Sequence, residues 1–207
     1  MMRKFKFFID FAKEEKWLNE MARQGYQLEN AFFGYQFRSA PPEDANIKID
    51  YRTFKHSADF ADYCAMFEDC GWMHIAGSKN SGSHYFKKMD GNGLEDIFSD
   101  SASKAGRYKR IGDMWMTLAI CFLPLFIVMV NNNMIDVHAM LHPKLLYYTP
   151  GLWEKSGSSF WGAFLFETPF AILRGFMWLI YPILIIYYAF CSWKVRRLYR
   201  NTKRTGS

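Results

Sequence analysis

Residues 176–193 (FMWLIYPILIIYYAFCSW) carry no charge, and Lys194, Arg196, Arg197, Arg200, Lys203 and Arg204 follow at once. An apolar run of ~17–25 residues is what a helix needs to cross the hydrocarbon core of a bilayer. A basic cluster directly behind it is a stop-transfer pattern with its cations on the cytoplasmic side. A second charge-free run, residues 114–130, lies earlier. At 1.5 Å per residue it covers ~25 Å, short of a ~30 Å core, so Ile111 and Gly112 are expected to join it. Two such segments divide the chain into a polar part that folds in water and an apolar part that folds in lipid.

The charge follows the same division. Residues 1–113 hold 17 basic and 17 acidic residues, whereas residues 114–207 hold 9 and 3. The pI of about 9.1 therefore belongs to the membrane half and its tail. A nucleic-acid binder would carry its basic surface on the folded domain, so no direct nucleic-acid role is expected. Cys64, Cys70, Cys121 and Cys191 fall in the domain and the spans, and none falls in the segment between the spans, so no disulfide framework is implied. The opening MMRKFKFFIDFAKEEKW mixes charge into its apolar residues and does not read as a signal peptide.

Within the polar part, residues 4–9 alternate, with Phe5, Phe7 and Ile9 on one face, and predict a strand. Asp10 is placed to cap a helix whose stripe is Trp17, Leu18, Met21 and Ala22, and Gly25 to end it. Residues 26–33 and 34–38 predict two strands, and the Pro-Pro loop 39–44 follows. The pattern then restarts: a strand at Ile47, Ile49 and Tyr51, a helix capped by Ser57 with Phe60, Tyr63, Cys64 and Phe67 on one face, Gly71, and strands at 72–76 and 84–88. Trp17, Met21, Gly25 and Tyr26 match Tyr63, Phe67, Gly71 and Trp72 at a constant offset of 46. This predicts an α+β fold: an N-terminal duplicated βαββ domain, one antiparallel sheet with two helices on a face, followed by a two-helix transmembrane hairpin. The expected segments are a cytosolic domain over 1–93, a juxtamembrane linker over 94–113, spans over 114–130 and 175–193, an outer aromatic loop over 131–174 and a basic cytoplasmic tail over 194–207. The loop carries only Lys144, Lys155 and Arg174 as cations, so the positive-inside rule predicts a two-pass cell-membrane protein with both termini cytoplasmic. Arg174 is costly deep in lipid and is expected to reach the outer surface.

EKWLNEMARQGYQLE (15–29), IDYRTF (49–54), YCAMFEDCGW (63–72), YFKK (85–88) and EDIFSD (95–100) resemble the DUF2812 family of small bacterial membrane proteins. The resemblance implies a soluble domain followed by spans, and a setting often beside PadR-like regulators. It carries over no activity and no catalytic residue.

No Gly-rich phosphate loop, nucleophile elbow or zinc spacing is present, so no catalytic set, metal or cofactor is expected. His138 and His142 with Asp136 lack a third ligand at known spacing, and His74 and His84 read as ordinary sheet histidines. Phe8, Phe32, Phe54 and Phe86 fall on the opposite phase from the main strand faces. A sheet with aromatics on both faces needs a cover for the second, so these four are the candidate contacts for a protein partner, a second copy or a small apolar ligand. Lys194, Arg196, Arg197, Arg200, Lys203 and Arg204 are the candidate contacts to membrane lipid. The expected function is a non-enzymatic, membrane-tethered regulatory or sensory module that binds a cytosolic protein, such as a PadR-like regulator, or a small apolar ligand. The alternative is a structural or envelope-stress accessory acting through its spans and outer loop. A membrane enzyme ranks third.

Overall fold

The computed structural model describes residues 1–89 and 95–204. The chain is α+β and divides into two compact units, Met1–Asp113 with Ser192–Ser207, and Met114–Cys191.

The first unit opens with β1 (Met2–Lys4), α1 (Phe11–Arg23), β2 (Tyr26–Asn30) and β3 (Tyr35–Ser39). Asp10 caps α1 by accepting from the Ala12 amide at 3.0 Å. Leu18, Met21 and Ala22 are its buried stripe. β1 ends five residues before the predicted strand does, because its partner β3 begins at Tyr35 and Lys4 is the last residue with a partner across the ladder. Phe5 and Phe7, which alternate as a strand would, are instead exposed.

The same order follows in β4 (Ile47–Tyr51), α2 (Ser57–Asp69), β5 (Trp72–Ala76) and β6 (Ser83–Lys88). Ser57 is the first helical residue, and His56 holds the cap position without a side-chain bond. The strands form two three-stranded antiparallel sheets, β1-β3-β2 and β4-β6-β5, where one was expected. The reason lies in β2 and β5. These run alongside each other, yet each carries a register shift near its end, between Leu28 and Asn30 and between His74 and Ala76, and no ladder forms between them.

Both helices end on a glycine in the left-handed region, Gly25 at φ 82° and Gly71 at φ 83°. That conformation costs an L side chain ~1–2 kcal/mol. A Cβ on Gly25 would also sit 2.8 Å from the Ala40 carbonyl oxygen, whereas one on Gly71 meets open space. Gly71→Ala is therefore expected to cost about 1–2 kcal/mol and Gly25→Ala distinctly more, measured as paired denaturant melts.

Among the described residues, α3 (Ser101–Asn131) and α5 (Gly157–Arg204) are the two helices long and apolar enough to cross a membrane. At 1.5 Å per residue they extend about 46 and 72 Å, well beyond a ~30 Å core. Residues 101–113, read as linker, are the opening turns of α3, and residues 157–174, read as loop, are the opening turns of α5. Pro124, Pro169 and Pro182 all lie inside these helices.

The second unit holds the apolar stretches of both helices. Trp115 and Phe122 stack on Tyr188 with centroids 5.5 and 5.8 Å apart. The connection is ordered into α4 (Val137–Leu141) and two short 3-10 turns. Asp136 caps α4 by accepting from the His138 and Ala139 amides. Ile135 and Ala139 pack on Trp178. Glu167, buried, accepts from the backbone amides of Tyr148 and Thr149. Arg174 donates to the Leu146 carbonyl and lies 3.6 Å from the Tyr148 ring centroid, so its charge is met inside the unit.

Candidate functional site

The polar centre of the first unit lies along the open edge of β4. An edge strand presents unpaired amides and carbonyls. Here side chains take them up. Asn19 of α1 accepts from the Ile47 amide at 2.8 Å and Glu15 from the Ile49 amide at 3.1 Å. On the carbonyl side, Arg107 donates to Ile49 at 2.5 Å and Arg110 donates to Tyr51. The two arginines come from α3.

Arg107 is 1% exposed and pairs with Glu15, itself buried. Its guanidinium lies 5.1–5.3 Å from the ring centroids of Phe11, Phe98 and Tyr108. Arg110 pairs with buried Asp50 at 2.5 Å, and Asp50 also accepts from the Tyr63 hydroxyl at 2.9 Å. The Tyr108 hydroxyl donates to Asp10, the cap of α1, at 2.8 Å. α3 thus enters the unit as a structural member, with Ala105, Arg107 and Tyr108 buried.

Beside this edge, Glu14 accepts from the hydroxyls of Tyr35 and Tyr85, both at 2.7 Å, and so joins β3 of one sheet to β6 of the other. Burial pushes the Glu14 carboxyl above its usual range, and the two phenolic donors oppose that rise. The same burial, with the carboxylate close by, pushes both phenols up.

The second sheet is covered on both faces from within the chain. Tyr85 turns to α1, while Trp72 and Phe86 turn to Tyr63 and Phe67 of α2. His84 and His74 stand among those rings, 5.6 Å apart. The His84 Nε2 lies 2.9 Å from the Arg52 carbonyl, while its Nδ1 and the His74 Nε2 are buried without a partner. Burial, followed by the neighbouring His84, holds His74 down at about 4.

The four candidate phenylalanines do not share a surface. Phe86 is fully buried, Phe54 packs half-buried on the α2 cluster, and Phe8 packs half-buried on Trp17. Phe32 is 78% exposed in the β2–β3 turn. It lines a cleft of about 480 Å³ with Glu29, His74, Gly77, Ser83 and Tyr85, beside the two register shifts. What clusters with Phe32 in exposure is Phe33, Phe5 and Phe7, with Phe5 edge-on to Phe33 at 6.2 Å. Alternation puts Phe5 and Phe7 on one strand face because it extends that strand past Lys4, the last residue with a ladder partner.

The tail cations lie on the last turns of α5, with Arg196 at 3.6 Å from Asp113. Among the described residues, no group of three or more His, Cys, Asp or Glu side chains is placed to hold a metal ion.

Comparison with curated proteins and comparison with solved structures each returned no match. A family model described as "Protein of unknown function (DUF2812)" matches residues 10–120, just over half of the chain. The matched stretch runs from the cap of α1, through both sheets, into α3 and past Arg107 and Arg110. The chain therefore belongs to the DUF2812 family.

Proposed function

We propose that the chain is a two-pass membrane protein with both termini in the cytoplasm, and that its first unit is a regulatory or sensory module that binds a cytosolic protein. The observation that carries this reading is Arg107. A passive anchor needs only a polar linker between domain and span. Here the helix that continues into the first apolar run places a fully buried arginine against Glu15 and the backbone of β4. A change in the domain core would act on that helix directly, and the reverse holds as well.

Gene duplication accounts for the domain. α1 and α2, and β2 and β5, correspond at an offset of 46, β4 contains the positions 46 beyond β1, and the register shifts fall at matching positions. The β3–β6 pair corresponds at 49, the difference being the longer second hairpin. Repetition frees one half to carry a surface that the other lacks. That surface is the exposed group Phe5, Phe7, Phe32 and Phe33, flanked by exposed Arg3 and Lys6, and it suits a partner with an apolar, acidic face.

The test is photo-crosslinking in native membranes with benzoylphenylalanine in place of Phe32, and at Met66 on α2 as the control. A discrete adduct at position 32 that disappears on Phe33→Asp is the expected result. Equal labelling at both positions would overturn the partner face. Replacing both apolar runs by an unrelated anchor should leave both the adduct and the regulation in place, because the Arg107 link precedes the first run. Lost regulation would favour the reading in which the spans and the outer loop act.

A further inference from the structure

Where α3 meets the end of α5 within the first unit, the two helices are held close. The Ser192 hydroxyl donates to the Gly112 carbonyl at 2.9 Å, and Val195 is fully buried. A Cβ on Gly112 would sit 3.5 Å from Val195 Cγ1, at ordinary van der Waals contact, so the two helices lie side by side here. To one side the helices enclose a cleft of about 520 Å³ lined by Lys109, Asp113, Trp193, Arg196, Tyr199 and Arg200. Its size lies within the range of small-ligand sites.

The lining is three cations, one carboxylate and two amphipathic aromatics. Asp113 is 3.6 Å from Arg196, and Lys109 and Arg200 are the other two cations of the lining. On α3, Lys104, Arg107 and Arg110 are paired with Asp96, Glu15 and Asp50, whereas Lys109 is exposed and lines the cleft. In sequence, Lys109 and Asp113 stand before one apolar run, and Trp193, Arg196, Tyr199 and Arg200 lie at the end of the other and behind it. If the runs cross a bilayer, both positions fall at one headgroup level, where Trp and Tyr concentrate and basic side chains meet lipid phosphate.

We infer that this cleft binds the phosphodiester headgroup of an anionic phospholipid, with Lys109 and Arg200 on the phosphate and Trp193 and Tyr199 against the glycerol and upper acyl carbons. The cleft differs from a general basic tail because Lys194 and Arg197, on the same turns of α5, do not line it. The inference rests on the membrane placement proposed above, but not on the partner face.

The experiment uses the full chain purified in detergent, supplied with phosphatidylglycerol or phosphatidylcholine, and read by native mass spectrometry for retained lipid and by thermal shift. Phosphatidylglycerol should be retained selectively and raise the melting temperature. Each cation near an anionic surface is worth about fivefold in affinity, so Lys109→Gln with Arg200→Gln should weaken retention about 25-fold. Lys194→Gln with Arg197→Gln removes the same charge off the cleft and should change it little. Equal loss in the two double variants would overturn the site in favour of diffuse surface charge. An equal thermal shift from glycerol phosphate alone would overturn the lipid assignment in favour of a soluble phosphate ligand. Fractionation of the same variants separates the two levels. A wild-type chain found in the soluble fraction sinks the membrane reading itself, whereas a membrane-bound chain with equal losses sinks only the cleft.

Discussion

Arg107→Ala is expected to destabilise the first unit by about 3–5 kcal/mol, the cost of leaving a buried ion pair half empty. The side chain is 1% exposed and Glu15 is 8% exposed, so water cannot replace the lost partner. The Ile49 carbonyl loses its donor as well, and three aromatic rings lose their cation. A domain of this size is stable by only ~5–15 kcal/mol, so the loss would be a large part of the total. Arg107→Lys should not rescue, because a single ammonium cannot span a carboxylate and a carbonyl as a planar fork does. The pair Glu15→Gln with Arg107→Met should cost less than the sum of the two single changes, since neither variant side chain leaves a charge behind. Denaturant melts of the full chain in detergent, followed by tryptophan fluorescence, measure all five variants. A loss under 1 kcal/mol for Arg107→Ala would mean that α3 does not bear on the core. The Arg107 Nε is buried without a partner, so the pair is an imperfect one, and its worth lies in fixing α3 to β4.

Glu14→Leu is expected to be nearly as severe, for a different reason. It removes the one acceptor shared by the Tyr35 and Tyr85 hydroxyls and leaves two buried donors unpaired, at ~1–3 kcal/mol each. Glu14→Gln keeps an acceptor oxygen and should be far milder. The pH dependence separates the two effects. Because the folded pKa of Glu14 is raised by burial, the stability linked to its protonated form is complete below the unfolded value and is lost as pH rises through the folded one. The wild-type chain should therefore lose stability across that window on going alkaline, and Glu14→Gln should flatten the slope there. An unchanged slope would mean that the carboxyl titrates alike in the folded and unfolded chain.

Much of the fold can be read from the residues. The α1 stripe, the Asp10 cap, Gly25 and Gly71 are local signals, and the structure carries each of them. The two apolar runs are equally plain, as composition alone marks them. Non-local features are not legible. Whether six strands make one sheet or two depends on backbone irregularities in β2 and β5, which leave no mark in hydrophobic alternation. Residues 4–9 alternate as a strand does, but the ladder stops where Gly34 turns the partner away. Arg107 reads as a membrane-flanking cation because its partner Glu15 lies 92 residues earlier and pattern cannot pair them. The phenylalanine phase misleads in the same way. It places Phe86 on an uncovered face, although α2 covers that face.

The seal on β4 also bears on the order of events during synthesis. Asn19 and Glu15 leave the ribosome before the strand they cover, whereas Arg107 and Arg110 leave some 60 residues after it. Until then two carbonyls of that strand stay open to any neighbouring chain. The same helix that closes them carries the first of the two runs long and apolar enough to cross a membrane, so the edge of β4 is sealed only once the start of that helix has been made.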